Sequence, residues 1–193
     1  MAEVVGQGTG RTKWKRFGLA FAPAVAAGAA LVVLVANGVL AASFAVSGSA
    51  FKVSASRLDG QGFKQFGGTD HRKVDNQDIP VVITVIDQAS LTNLCQSVKI
   101  GPFTVRITAG GGNTPAEAED LVVDAEQILG DAQFTNIDIG VDASDLGVGA
   151  PVGMFGQRAT TVTINNLRQV AWATTAGTFK LNGLNLRFGS ECF

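Results

Sequence analysis

Residues 51–55 read FKVSA, in which Phe51, Val53 and Ala55 alternate with Lys52 and Ser54. A period of two places the apolar side chains on one face of a β-strand and the polar ones on the other. The same alternation occurs in four further segments, at 103–107, 137–141, 162–164 and 184–188. Because glycines and asparagines separate these segments, the sequence predicts a mainly β domain of half-buried strands and turns.

Two other segments need a separate interpretation. The predominantly apolar run VVITVI (81–86) is typical of a strand buried on both faces. In the second segment, Thr114, Pro115 and Glu117 form a capping box, and Gly130 is a candidate C-cap. Local rules therefore predict a helix over 115–129, which is supported by apolar residues at helical spacing: Ala118, Leu121, Val122, Ala125 and Leu129.

A weak internal repeat argues against that helix. Residues Ala55, Leu58, Gly60 and Phe63 match Ala125, Ile128, Gly130 and Phe134, with one residue inserted. If the repeat is real, both segments share a strand–turn–strand form, and we favour a strand from about Leu121 onward. Short strands separated by turns indicate a sandwich, a barrel or a short β-solenoid, and the sequence does not choose among the three.

The N-terminal part predicts a membrane anchor. Residues 1–16 form a basic tail, and residues 17–42 form an uncharged apolar run that would measure about 39 Å as a helix. A bilayer core is about 30 Å thick, so this run predicts a transmembrane signal-anchor helix. The positive-inside rule places the tail in the cytoplasm and residues 43–193 outside the plasma membrane. The predicted membrane-interface residues are Arg11, Lys13, Trp14, Lys15 and Arg16.

Cleavage near Ala42 is the alternative, since small residues there could form a signal-peptidase site and release a secreted domain. The apolar run is longer than a typical signal-peptide core, which favours retention. Small residues recur every four positions on one face of the predicted helix, at Gly18, Ala22, Ala26 and Ala30. Such spacing lets membrane helices pack closely, so we expect a homo-oligomer or a membrane-protein partner, besides membrane lipid.

Residues 43–193 are enough for one domain with a hydrophobic core. They hold 11 Lys or Arg and 15 Asp or Glu, a net charge of −4, which disfavours a nucleic-acid partner. The only cysteines are Cys95 and Cys192, and both follow the predicted anchor. An oxidising compartment allows such a pair to form a disulfide, which we favour over two separate thiols.

No catalytic, metal or cofactor motif stands out. The single histidine, His71, lies in a polar run that reads as an exposed loop, and no serine lies in a G-x-S-x-G turn. Two groups of carboxylates lack EF-hand spacing and are most simply solvated turn residues: Asp70, Asp75 and Asp78, and Asp138, Asp142 and Asp145. We therefore expect no cofactor, although a loose calcium site or a pair of carboxylates that converge in space stays open.

Several strings resemble an uncharacterised actinobacterial membrane-anchored family, a domain of unknown function whose members are sometimes labelled cholesterol esterase. These strings are FKVSASRLDGQGFKQFGG (51–68), NLCQSV (93–98), FTNIDIGVDAS (134–144), GMFGQRATTVTI (153–164), RQVAWATTAGTFKL (168–181) and ECF (191–193). The resemblance covers nearly the whole chain. It implies a place in the cell envelope and no defined reaction, so it assigns no catalytic residue.

Three functions follow as hypotheses. The first is a non-enzymatic envelope protein that acts through self-assembly or association with a membrane partner. The second is a carrier or scaffold for a lipid or other hydrophobic ligand, whose groove would be lined by Phe51, Phe63, Phe66, Phe134, Phe155 and Phe179. The third, which the missing catalytic set disfavours, is a hydrolase of envelope lipid or glycan.

Overall fold

Long antiparallel strands dominate the computed structural model, which describes residues 45–46 and 48–193. The strands are β1 (Ala45–Val46), β2 (Phe51–Arg72), β3 (Gln77–Thr92), β4 (Leu94–Ile100), β5 (Phe103–Ala109), β6 (Ala116–Thr135), β7 (Asp138–Asp142), β8 (Phe155–Thr175), β9 (Thr178–Lys180) and β10 (Asn185–Phe188). One short 3₁₀ helix, Ala143–Leu146, follows β7. The predicted mainly β class is confirmed.

The four longest strands close into a ring. β2 pairs with β3, β3 with β6, β6 with β8, and β8 returns to β2, with all four pairings antiparallel. The closing pairing runs from Phe51 opposite Ala171 to Phe63 opposite Ala159. The sheet is therefore barrel-like, which decides among the three architectures that the sequence allowed. Closure leaves these strands without a free edge where they pair on both sides.

A smaller sheet extends from the start of β2. Residues Phe51–Ser54 pair with β4 as well as with β8, β4 pairs with β5, and β5 pairs with β10. We call β4, β5 and β10 the side sheet. β10 is its outer edge. The inward face of the closed sheet continues directly onto one face of the side sheet, because both share the first residues of β2.

Two hydrophobic clusters hold the fold together. The larger lines the inside of the closed sheet with inward-facing residues such as Leu58, Phe63 and Val162. The smaller lies on the outer face of β2 and β3, where Phe66 packs with Ala143 and Leu146 from the 3₁₀ helix. Strand β3 serves both clusters, with Ile86 in the first and Ile83 and Val85 against the second, as the apolar run 81–86 predicted.

The helix that local rules predict over 115–129 is wrong, because this segment is strand β6 from Ala116 to Thr135. β6 pairs with β3 through Ala116–Ala125 and with β8 through Val122–Thr135. Hydrogen bonds to two neighbours outweigh a single capping box, as tertiary pairing often overrides local propensity. The strand that we favoured from Leu121 is confirmed, and it begins five residues earlier.

The strand–turn–strand form expected from the internal repeat is also wrong, since both segments lie within uninterrupted strands. Gly60 and Gly130 do not form turns. A Cβ on Gly60 would lie 2.8 Å from Ile86 Cγ2, and one on Gly130 would lie 2.6 Å from Ile164 Cγ2. These glycines make room for large inward-facing side chains of the neighbouring strands.

The predicted tail (1–16) and anchor helix (17–42), with their packing and interface residues, lie outside the described residues. Within the described part of the chain, no helix is long and apolar enough to span a membrane.

A disulfide joins Cys95 on β4 to Cys192 near the C-terminus. Further contacts hold the same C-terminal residues against β2 and β4. The Cys192 N–H donates to Ser97 Oγ at 3.0 Å, and Lys52 Nζ lies 3.2 Å from Glu191 Oε2. Lys52 and Arg168 also lie against the ring of Phe193. The disulfide predicted from the two cysteines is therefore part of a larger attachment.

Candidate functional site

A cavity of about 270 Å³ lies inside the closed sheet. Most of the side chains that line the cavity are aliphatic or aromatic, and they are the inward-facing side chains of the strands that form its wall. The lining includes Leu58, Phe63, Ile86, Leu121, Phe134 and Leu167. An apolar cavity of about 150 Å³ is enough to bind benzene, so this space is large enough for an organic ligand.

One row across the cavity wall holds three polar side chains, those of Gln65, Thr84 and Thr174, together with Val123. Gln65 on β2 faces Thr84 on β3, Thr84 faces Val123 on β6, and Val123 faces Thr174 on β8. Gln65 Nε2 donates to Thr84 Oγ1 at 2.9 Å, whereas the buried Thr174 Oγ1 has no partner within the described structure. A buried hydroxyl without a partner is costly, so a ligand atom or a water bound there would be favourable.

Two glutamines form a second polar position. In the strand register, Gln96 and Gln169 lie on either side of Val53, and all three line the cavity. Neither amide makes a hydrogen bond to another described residue. The wall is thus apolar with a few polar groups, which is the usual composition of a small-molecule site.

The cavity opens beside the second half of β6. Pairing between β3 and β6 ends at Val82 opposite Ala125, so residues 126–135 pair with β8 alone. Gly130 and Ala132 line the cavity and are nevertheless exposed. They mark its mouth.

The six phenylalanines suggested as a ligand groove are not one group. Phe63, Phe134 and Phe179 line the cavity, and the rings of Phe63 and Phe134 lie 5.2 Å apart. Phe51 packs at the edge of the main core, Phe66 belongs to the outer cluster, and Phe155 is largely exposed.

A pair of buried carboxylates lies on the opposite face of the sheet. Asp70 faces Ile79 and Asp124 faces Ile83, so the two acids lie on either side of β3. Both are almost inaccessible, and Asp70 Oδ2 and Asp124 Oδ1 lack partners among the described residues. Burial raises the pKa of Asp124 to about 7, with a further contribution from Asp70, and burial also raises the pKa of Asp70.

His71 lies at the end of β2 rather than in a loop. Its Nδ1 is 3.0 Å from Asp78 Oδ1, and its Nε2 is 3.1 Å from Asn76 Oδ1. The hydrogen bond to Asp78 is the main cause of a raised pKa for this exposed imidazole. Because Nε2 faces an amide oxygen, the arrangement lacks the serine hydroxyl that a Ser-His-Asp hydrolase would place there.

In the two clusters of aspartates considered as calcium sites, most of the carboxylates contact other residues or are buried. In the first group, Asp75 pairs with Arg72, Asp78 contacts His71, and Asp70 is buried. In the second group, Asp138 pairs with Arg158 at 3.0 Å, and Asp142 accepts hydrogen bonds from Ser144 and Gly153. Across the described residues, no three acidic, histidine or cysteine side chains converge as metal ligands.

A comparison with protein-family models matches residues 47–193 to a family of unknown function, DUF6230. Comparison with curated proteins gave no match. Comparison with solved structures gave none either.

Proposed function

Because the chain belongs to DUF6230, a family of unknown function, we propose a role from the geometry: it is a non-enzymatic envelope protein that holds a hydrophobic ligand. The observation that carries this proposal is the cavity of about 270 Å³ inside the closed sheet. Protein interiors are normally packed with few voids larger than a water molecule. A space of this size in the centre of the fold costs packing energy, which a bound apolar group would restore.

The wall defines the class of ligand. An acyl chain or a small ring system would contact the aliphatic and aromatic lining, of which Phe63 and Leu121 are part. A carbonyl or hydroxyl on the ligand would pair with Thr174 Oγ1 or with the amides of Gln96 and Gln169. The proposed ligand is therefore a small amphipathic lipid with one polar group.

The compartment fits this ligand. Disulfides persist in oxidising compartments, so the Cys95–Cys192 bond supports the predicted position outside the cytoplasm. The predicted anchor over 17–42 would hold the domain beside a bilayer, where lipids are available. Both the anchor and its alternative, cleavage near Ala42, leave the ligand site unchanged.

Native mass spectrometry of the full chain, extracted from membranes in mild detergent, tests the proposal. We expect a lipid-sized adduct that collisional activation removes, and the released lipid can then be identified. Ala132→Phe, which places a ring at the cavity mouth, should abolish the adduct. Gln133→Phe is the matched control, because Gln133 is exposed and its side chain points to the other face of β6. A wild-type protein without adduct, or equal loss in both variants, would refute ligand binding.

Association with a membrane partner or with its own copies stays a prediction. It rests on the small-residue face of Gly18, Ala22, Ala26 and Ala30. Blue-native electrophoresis in mild detergent should show a species larger than the monomer, and Gly18 and Ala26 replaced together by leucine should shift it to monomer. A strictly monomeric wild-type protein would count against assembly and would leave the ligand proposal untouched.

A further inference from the structure

Two glutamine side chains stand among apolar residues in the cavity wall, and we call them the amide pair. Gln96 on β4 and Gln169 on β8 lie on either side of Val53, and all three line the cavity. In the same row, Ile107 lies beyond Gln96 and Ile128 lies beyond Gln169. The positions two residues away on the same strands, and so on the same face, are also apolar: Leu94, Val98, Leu167 and Ala171. The amide pair is therefore surrounded by apolar side chains on the inner face of the sheet.

The amide pair differs from the other polar groups of the wall in its hydrogen bonding. Gln157 Nε2 donates to Gln65 Oε1, and Gln65 Nε2 donates to Thr84 Oγ1, so these three side chains bond to one another. Thr174 Oγ1 is enclosed by neighbouring atoms. The amide pair makes no hydrogen bond to a described residue. Because a primary amide offers both N–H donors and a carbonyl acceptor, the amide pair is the position at which the wall can receive the polar group of a ligand.

The cavity wall carries no formal charge. None of the described residues that line it is acidic, basic or histidine. An ionised group that entered from water would lose its hydration and gain no counter-ion, which costs far more than burying a hydroxyl or an ester. A neutral polar group would exchange its hydrogen bonds with water for hydrogen bonds with the amides at little cost. The wall therefore disfavours a charged head group.

We propose that the cavity binds an uncharged lipid, an alcohol or an ester, whose polar group is hydrogen-bonded to Gln96 and Gln169. This inference rests on the proposed ligand binding and narrows the class of ligand, because it excludes fatty-acid anions and phospholipids. Gln169 is only 9% exposed, so a polar group bonded to it is removed from bulk water. In proportion to the cavity of about 150 Å³ that holds benzene, a space of about 270 Å³ holds a chain of about ten carbon atoms.

Native mass spectrometry of the full chain in mild detergent tests this selection with probes of equal chain length. The probes are 1-decanol, decanoate at pH 8, and decane. Binding is counted only above the level in Ala132→Phe, whose ring would fill the cavity mouth. We expect the wild-type protein to bind 1-decanol at least about tenfold more tightly than decanoate, because only decanoate would bury an unpaired charge.

Gln96→Leu/Gln169→Leu separates recognition of the polar group from packing. Affinity for 1-decanol should fall about tenfold in this double variant, since two neutral hydrogen bonds are lost. Affinity for decane should not fall, because leucine makes the wall apolar at both positions. Gln127→Leu is the matched control and should leave all affinities unchanged. Gln127 is exposed and lies opposite Val170, on the other face of the sheet.

The other outcomes separate this inference from the proposed function. Absence of binding by every probe would refute ligand binding itself. Equal affinities for 1-decanol and decanoate would show that the head group stays in solvent at the mouth, and would overturn only the selection for an uncharged lipid. A double variant with unchanged affinity for 1-decanol would mean that the amide pair binds water alone. Equal losses of 1-decanol and decane would reveal a packing defect, and either result would overturn the role of the amide pair.

Discussion

Single buried residues set the electrostatic behaviour of this protein. Asp70 and Asp124 are charged in the unfolded chain at neutral pH, yet the fold removes both side chains from water. In each of them, one buried carboxylate oxygen has no hydrogen-bonding partner among the described residues. Desolvation of a carboxylate without a cation nearby favours the neutral acid. The folded protein therefore carries a penalty that grows as Asp124 ionises.

This penalty predicts a stability that falls with rising pH. The pKa of Asp124 rises from 3.8 to about 7 on folding, so the folded protein binds more protons than the unfolded chain between those values. Stability then decreases from about pH 4 to about pH 7 and levels off above it. Asp124→Asn should remove most of this slope and raise the free energy of unfolding at pH 8 by about 1–3 kcal/mol. Urea titrations of the wild type and of Asp124→Asn at pH 5 and pH 8 measure both the slope and the change in the free energy of unfolding.

Asp131→Asn provides the comparison, since Asp131 is an exposed carboxylate on the same strand. In this variant the slope that Asp124 causes should remain. An Asp124→Asn profile that follows the wild-type slope from pH 5 to pH 8 would show that Asp124 is ionised throughout this range.

The acid pair also shows what the sequence could not provide at the residue scale. The disulfide was predictable because only two cysteines exist and both follow the predicted anchor. No sequence pattern indicates that Asp70 and Asp124 are buried near each other, and from the sequence Asp70 was expected in a solvated turn. Their proximity depends on the registers of β2 and β6 on β3, and β6 has a register irregularity beside Asp124. No local pattern encodes those registers.

At the element scale, alternation located the strands but not their lengths. The pattern at 51–55 marks the start of a strand that continues to Arg72. Glycines within it, such as Gly60, read as turns in the sequence, although here they face bulky neighbours within a strand. The sequence therefore did not show where the strands end. It did not show the cavity either, because only long strands that close into a ring enclose it.

Gly110 connects β5 to β6 and offers a prediction at this scale. Its φ is +70°, and an added Cβ would lie 2.5 Å from the Leu91 carbonyl oxygen and 2.6 Å from the Ala116 nitrogen. Both neighbours are backbone and cannot move aside. Gly110→Ala should therefore lower the free energy of unfolding by about 3 kcal/mol or more. Thermal unfolding followed by circular dichroism measures the loss.

Gly112→Ala separates the two causes. Gly112 has a similar φ of +66° but no atom within 4 Å of an added Cβ. Backbone strain alone should cost about 1 kcal/mol. Equal losses in the two variants would mean that the contacts around Gly110 relax without cost.

For the whole molecule, the decisive pairing is between β2 and β8, which closes the sheet. The sequence left a sandwich, a barrel and a solenoid open because all three use the same alternating strands. Closure requires β2 to pair with β8, which lies far along the chain. The register of this pairing depends on the strands that lie between them in the sequence. Contacts so distant in sequence carry a large loop-closure entropy, which a covalent bond between distant residues reduces.

The Cys95–Cys192 disulfide therefore stabilises the domain chiefly by restricting the unfolded chain. Its sequence separation of 97 residues corresponds to about 4–5 kcal/mol as an upper figure. We expect Cys95→Ala/Cys192→Ala to lower the free energy of unfolding by about 2–4 kcal/mol and to remain folded, because Ser97, Lys52 and Arg168 also hold the C-terminal residues. Guanidinium titrations with and without reductant measure this, and reductant should affect the wild type alone. A double variant as stable as the wild type would mean that these contacts hold the chain end without the disulfide.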